Sequence, residues 1–300
     1  MKGKIKDSKI YKRLKKLLRF VYQMVVIILI AIILAVILRL FFIASFKIPT
    51  PSMEPAIVSG DFIIVNKMIP GPLIFKNFDF LSDGTRPEFW RLKGVRAVKR
   101  NDVLVFNFPY TDWHKMQLDM NVYYVKRCIA IPGDTFYIDN GIYKVKNVKD
   151  TLGYLPNQQG ISGMGRERYS NEIWNTFPYD GELGWNVKDF GPLYLPKKGE
   201  TLSLNAEEYK LYRRIIAYET GKTVSLKDNQ VLLNDSVIDK YTFLTNYYFM
   251  SGDFTFDSRD SRYWGLLPED HIVGKAAFVW KSKDIHTDKW RWNRLFKAVK

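Results

Sequence analysis

Val122-Tyr123-Tyr124-Val125-Lys126-Arg127-Cys128-Ile129-Ala130-Ile131-Pro132-Gly133-Asp134 sets one lysine among strand-forming residues and ends in a Pro-Gly-Asp turn. β-Branched and aromatic side chains fit a pleated, half-buried surface, and Pro and Gly stop the run. Comparable segments lie on both sides: Phe62-Ile63-Ile64-Val65, Val103-Leu104-Val105-Phe106, and His271 to Trp280. Asp139-Asn140-Gly141 separates Thr135-Phe136-Tyr137-Ile138 from Ile142-Tyr143-Lys144-Val145. Asn-Gly supplies the positive φ angles of a tight hairpin turn. These segments predict a mainly β core. From about 147 to 190, Gly, Asn, Gln and Ser are dispersed among aromatics without a period, which predicts an irregular insertion. Asn205 to Thr220 predicts one helix on it: Asn205 suits an N-cap, Tyr209, Tyr212, Ile215 and Ile216 keep helical spacing, and Gly221 is a natural stop. Leu226 to Phe243 predicts another hairpin. No repeat, heptad run or low-complexity tract is present.

Outward from this core, the charge is uneven. The 300 residues carry 46 Lys+Arg against 31 Asp+Glu, net +15, and are 47% hydrophobic, far from a disordered composition. Nine of the cations and one acid fall in residues 1–19, so +8 sits in this arm and +7 in the remaining 281 residues. Phe20 to Leu38 follows with Gln23 as its one clearly polar residue, then Arg39 and Leu40-Phe41-Phe42-Ile43-Ala44-Ser45-Phe46. About 20 helical residues span the ~30 Å hydrocarbon core, so residues 20–46 predict a single membrane anchor. A cleavable signal peptide has a shorter apolar core and a small-residue exit, whereas this run ends in bulky side chains. A buried core helix would not carry nine cations ahead of an apolar circumference. A nucleic-acid arm is displaced by the positive-inside rule, which puts residues 1–19 in the cytoplasm and the C-terminal 250 residues outside it. Cys128 is the one cysteine, so no internal disulfide forms, and with His114, His271 and His286 it gives no zinc spacing.

Ser52 lies six residues past Phe46, within about 20 Å of the anchor even if fully extended. Pro49, Pro51 and Pro55 stiffen Ile48-Pro49-Thr50-Pro51-Ser52-Met53-Glu54-Pro55. Such a segment reads either as a linker or as the mount of a nucleophile. A serine needs a base, and none of the three histidines has a recognisable catalytic context; each reads as solvated or structural. A buried lysine is the documented substitute. Lys126, among apolar strand formers, fits that need, although most lysines are surface residues.

In combination, these motifs resemble the bacterial type I signal peptidases, membrane-bound Ser/Lys proteases. Thr50-Pro51-Ser52-Met53-Glu54-Pro55 is similar to their nucleophile box, with Ser59-Gly60-Asp61-Phe62-Ile63-Ile64-Val65-Asn66-Lys67 as the following strand. Asp102-Val103-Leu104-Val105-Phe106 and Tyr124-Val125-Lys126-Arg127 through Pro132-Gly133-Asp134 resemble the lysine box. Ser251-Gly252-Asp253, Ser258-Arg259-Asp260-Ser261-Arg262-Tyr263-Trp264-Gly265 and Ile272-Val273-Gly274-Lys275-Ala276 resemble the last. The boxes occur in the family's order after an anchor and cover some 75 residues; 147–245 carries no match.

The resemblance implies a mainly β fold: an N-terminal transmembrane helix, then an antiparallel β catalytic core at 47–146 and 245–282 with an α+β subdomain inserted at 147–244. Residues 283–300 form a basic aromatic tail, which reads equally as a membrane-interface segment, a strand edge or a disordered end. It implies Ser52 as nucleophile, Lys126 as general base, Thr50 with the Ser52 N–H as oxyanion hole, Ser258 as the lysine-orienting hydroxyl, and Asp260–Arg262 as a structural ion pair, with no metal or organic cofactor. Implied partners are signal peptides of exported preproteins, with small residues at −3 and −1, and the lipid bilayer of the cytoplasmic (inner) membrane; nucleic acid is not among them. Phe254 stands where the family usually has Asn, Thr255-Phe256-Asp257 replaces a polar stretch, and Pro51 replaces the commoner Gly. A membrane-tethered binding module would need neither Ser52 nor Lys126, and a self-cleaving Ser/Lys repressor would need a DNA-binding domain that residues 1–46 cannot hold. On this topology, protease added outside spheroplasts digests the domain after Phe46 and spares residues 1–19; digestion from the cytoplasmic side alone would reverse the orientation.

Overall fold

The computed structural model describes residues 2–79, 82, 86–110 and 115–300, with side chains from Ile10 onward; His114 lies outside the described residues. Helix α1 (Lys2–Ile37) runs into a π-helical segment at Leu38–Phe42 and then directly into strand β1 (Ile43–Lys47). Ile10–Phe42 is long and apolar enough to cross a membrane, and none of its most apolar stretch is buried against protein. The helix, expected to run to Phe46, therefore ends at Phe42. Ile43-Ala44-Ser45-Phe46 continues the apolar run but pairs as an edge strand, Ile43 opposite Asn66 and Lys47 opposite Phe62. Hydropathy alone cannot separate a helix end from a half-buried strand.

The junction is fastened at two levels. Lys67 Nζ donates to the Arg39 and Leu40 carbonyls at 2.9 and 3.2 Å, and the Lys67 N–H donates to the Phe42 carbonyl at 2.9 Å. The last carbonyls of a helix lack partners within it, and a cation there also meets the negative end of the helix dipole. Burial, and then Arg39, lowers the Lys67 pKa.

The remaining strands that frame the molecule are β2 (Asp61–Asn66), β3 (Val103–Asn107), β4 (Tyr123–Ala130), β5 (Thr135–Asp139), β6 (Ile142–Val145), β7 (Phe190–Tyr194), β8 (Tyr247–Ser251), β9 (Leu267–Pro268) and β10 (Ile272–Ser282). Six of them join β1 in a seven-stranded antiparallel sheet in the order β1-β2-β10-β3-β4-β8-β9. The expected core segments are all present, with Tyr123–Ala130 as one continuous strand. The Asn140-Gly141 hairpin forms as expected, with both residues at positive φ, but β5 and β6 join β7 in a separate three-stranded sheet. A sheet boundary therefore precedes residue 147, and the hairpin goes with the insertion. Phe136 of β5 packs at a tilt against Phe249 of β8 with ring centroids 4.0 Å apart, which joins the two sheets.

Within the insertion, α2 (Leu155–Gly163) and a single turn at Asn171–Trp174 occupy the stretch expected to be irregular. Helix α3 (Ala206–Thr220) matches the expectation: Asn205 Oδ1 accepts from the Glu207 and Glu208 N–H groups, and Gly221 ends it at φ 66°. The following hairpin is shorter than Leu226 to Phe243, pairing Val224–Lys227 with Gln230–Leu233. The C-terminal tail is packed along β10 rather than free: Val279 N–H bonds to Lys297 O and Val299 N–H to Ala277 O, both at 2.9 Å. Arg294 clamps buried Asp61 through Nε and Nη2, the latter at 2.6 Å, and also reaches the Ala56 carbonyl at 3.1 Å. Breaking a buried pair leaves an uncompensated charge and costs about 3–5 kcal/mol. Arg294→Ala is therefore expected to lower the unfolding free energy by about that much in denaturant titration, whereas a free tail would make the change negligible.

Candidate active site

Ser52 sits in a turn whose neighbours are anchored below it. Met53 and Ile57 are fully buried with Ile48, Ile63, Val103 and Val279, and burying side chains of this size contributes roughly 1.5–3 kcal/mol each. The turn is closed by Glu54 N–H to Pro51 O at 2.8 Å and Ile57 N–H to Met53 O at 3.0 Å. Ile48 and Asp61 hold its ends together, with Ile48 N–H donating to Asp61 O at 2.8 Å. The Ser52 carbonyl accepts from the Phe254 N–H at 3.1 Å, so the loop after β8 fixes the serine from the other side. Among the described residues, nothing accepts from the Ser52 N–H.

Lys126 lies in β4, opposite Leu104 of β3, and is 4% exposed. Its Nζ is 2.5 Å from Ser52 Oγ, a contact between residues 74 apart in sequence. Burial lowers its pKa to about 8; Asp260, Asp253 and Asp257 oppose that drop and Arg262 adds to it. A hydroxyl and an amine at this distance, with the amine titrating near neutrality, can exchange a proton.

Three of the expected residues lie in the loop after β8. Asp260 and Arg262 form a fully buried two-point pair, Nε to Oδ1 at 2.8 Å and Nη2 to Oδ2 at 2.9 Å. Asp260 also accepts from the Gly252 N–H at 3.0 Å and the Ser251 hydroxyl at 3.2 Å, and Arg262 donates to Thr255 O at 2.9 Å. This is not the exposed polar turn that sequence context alone allows. Ser258 is buried, but its hydroxyl has no hydrogen-bond partner, so it makes no bond to Lys126 here. It stands against Gly252, where an added Cβ would come within 2.2 Å of Ser258 Oγ and 2.5 Å of the Ser52 carbonyl. Glycine at this position is what lets the two loops meet. Thr50 is exposed and lines the same groove as Ser52.

That groove has a volume of about 360 Å³ and runs between Phe46–Met53 and Tyr123–Lys126. Tyr123, Tyr124 and Val125 pair with β3 on one side, while β8 pairs with β4 only at Arg127, Cys128 and Ala130. Their other edge therefore faces the groove with its backbone groups unclaimed by the sheet. Among the described residues no cluster of His, Cys, Asp and Glu could hold a metal ion. Cys128 is free and buried, and burial drives its pKa upward. His271 is buried with Nδ1 2.9 Å from Asp270, a structural placement, and His286 is exposed.

Sequence reasoning missed the clamp on Lys126's neighbour. Arg127 grips Asp253 with two bonds of 2.6 Å and also donates to the Asn101 and Lys300 carbonyls, each at 2.9 Å. Both residues stood in quoted motifs, but nothing local links positions 126 apart. The backbone role of Phe254 was equally hidden, because a side-chain motif does not report an N–H.

The sequence profile of the signal peptidase family, peptidase S26, matches residues 21–281. Signal peptidase I of Buchnera aphidicola subsp. Acyrthosiphon pisum is 30% identical over 261 residues, spanning 84% of this chain and 73% of its own. Signal peptidase I of Buchnera aphidicola subsp. Schizaphis graminum is 27% identical over 270 residues (84% and 72%), and that of Pseudomonas aeruginosa 29% over 255 residues (82% and 67%). With the mainly antiparallel fold, the apolar N-terminal helix and these matches, the chain belongs to the signal peptidase family of serine endopeptidases, peptidase S26.

Proposed function

We propose that signal-peptide removal by this chain proceeds through a Ser52–Lys126 dyad. The observation that carries the reading is the 2.5 Å contact between Lys126 Nζ and Ser52 Oγ at a buried lysine. Neutral Lys126 takes the Ser52 proton as Oγ attacks the scissile carbonyl carbon, and the resulting ammonium returns the proton to the leaving amine. The oxyanion is met by the Ser52 N–H, which has no acceptor among the described residues, and by the Thr50 hydroxyl at the groove. Water activated by the same lysine then hydrolyses the acyl-enzyme. Ser258 orients Lys126 by turning its unpartnered hydroxyl toward Nζ, and Asp260–Arg262 keeps that loop in place.

The substrate enters as an extended strand along the free edge of Tyr123–Val125. Side chains of a strand alternate between faces, so the residues at −1 and −3 meet one wall together while −2 points away. A groove walled by Phe46, Ile48, Met53 and Tyr124 favours small residues at those two places. With α1 in the inner membrane and residues 1–19 cytoplasmic, the domain lies on the outer side, against the lipid surface, where exported preproteins emerge.

Arginine keeps the charge of lysine but effectively cannot lose its proton. General acid–base catalysis is worth about 10²–10⁴-fold, so Lys126→Arg and Lys126→Ala are both expected to fall at least that far in preprotein cleavage; an active arginine variant would mean that a fixed cation suffices.

The pH profile provides a second check. Only neutral Lys126 accepts the proton, so kcat/KM climbs tenfold per pH unit up to about 8 and then levels off. Stability changes in the same direction. The folded-state pKa is depressed, so the full stability present above the unfolded value of ~10.4 is lost progressively as pH falls to about 8. A cleavage rate flat from pH 6 to 9 would rule out the lysine as base.

A further inference from the structure

A second cavity adjoins the groove and is claimed by none of the steps above. It has a volume of about 530 Å³ and shares Asp257 and Arg259 with the Ser52–Lys126 groove, so the two flank one loop. One wall is the catalytic loop, Phe256 to Arg259 with Tyr263; the other is Glu172, Ile173 and Tyr179 of the insertion. The walls are tied together: Tyr263 Oη donates to the Ile173 carbonyl at 3.1 Å, and the Phe177 N–H donates to the Arg262 carbonyl at 2.8 Å. Phe256 leans on α2, where a Cβ added to Gly160 would fall 2.6 Å from its ring.

Tyr179 is the unusual member. It is 52% exposed and holds a left-handed backbone at φ 63°. That region is strained for a bulky side chain, and such strain tends to be kept where a group must be presented. Its own N–H closes a turn onto the Thr176 carbonyl at 2.7 Å, so the ring is set by the backbone.

From these features we infer that the second cavity receives the polypeptide on the carboxyl side of the scissile bond, the first residues of the mature protein, with Tyr179 and Ile173 as its contacts. The inference rests on the Ser52–Lys126 reading. Residues preceding the cleavage site come from a segment that lies in the bilayer, and β1 enters the first groove straight from the membrane helix. The substrate beyond the scissile bond, held at Ser52, leaves by the other end, past Asp257 and Arg259. Binding energy from such remote residues can be used at the reacting bond, so truncated substrates lose turnover. The insertion thereby becomes a specificity element.

The experiment uses the full chain in detergent with two peptide substrates identical through the first mature residue, one ending at the second and one continuing to the tenth. The wild type is expected to favour the long substrate in kcat/KM by about tenfold, as remote contacts allow. Tyr179→Gly deletes the ring and relieves the left-handed strain, so its melting temperature is expected to be unchanged or higher while the long-to-short ratio drops toward one. Ile173→Ala, at an exposed side chain on the same wall, is expected to lower the ratio in the same direction, and Tyr179→Phe to keep it. A wild-type ratio of one, or an unchanged ratio in both Tyr179→Gly and Ile173→Ala, overturns the inference. Cleavage of either substrate by Ser52→Ala would instead overturn the dyad beneath it.

Discussion

Removing water from one ammonium group is the constraint around which this molecule is arranged. Taking an ion out of water costs several kcal/mol even after relaxation, and Lys126 sits at 4% exposure on β4. A free carboxylate beside it would restore the charge and leave an ordinary buried ion pair. Of the three carboxylates that act on it, the two buried ones are committed elsewhere, Asp260 to Arg262 and Asp253 to Arg127, and the third, Asp257, is exposed to solvent. The lysine therefore faces two neutralised pairs and one solvent-exposed carboxylate, and desolvation outweighs their combined attraction. The two arginine clamps position the loops and also settle which charges Lys126 does not receive.

Where loops cross, backbone groups carry the assembly. Gly252 gives up its side chain so that the Ser258 loop and the Ser52 turn can touch, and the Phe254 N–H seizes the Ser52 carbonyl. An N–H serves whatever side chain accompanies it. Phe254 in place of the usual asparagine thus leaves that link to Ser52 intact, and its ring packs against Phe256, centroids 6.1 Å apart.

Much of the sheet was legible because its signals are local: β-branched runs for β2, β3 and β10, Asn-Gly for the hairpin, Asn205 and Gly221 for the ends of α3. The long apolar helix was legible from hydropathy but its end was not, since Ile43–Phe46 is as apolar in a strand as in a helix. The hairpin's membership was hidden as well, because only the contact of Phe136 with Phe249 and the pairing with β7 decide it. Of the site, Ser52 and Lys126 emerged through motif order, and the structure brings them together. The tail was ambiguous in composition, and its place is set by Asp61, more than two hundred residues away.

Between Phe42, where the π-helical segment stops, and Ile43, where the sheet starts, no residue is left over to act as a swivel. Lys67, directly after β2, binds the last helical carbonyls, so helix and sheet are joined without a linker. An α-helix advances ~1.5 Å and turns about 100° per residue. A single residue inserted or deleted near Phe42 would swing the groove by more than a quarter turn about the helix axis, whereas the same change near Lys2 would leave its bearing untouched. The residue count at the C-terminal end of the apolar helix is thus an angular setting for the groove.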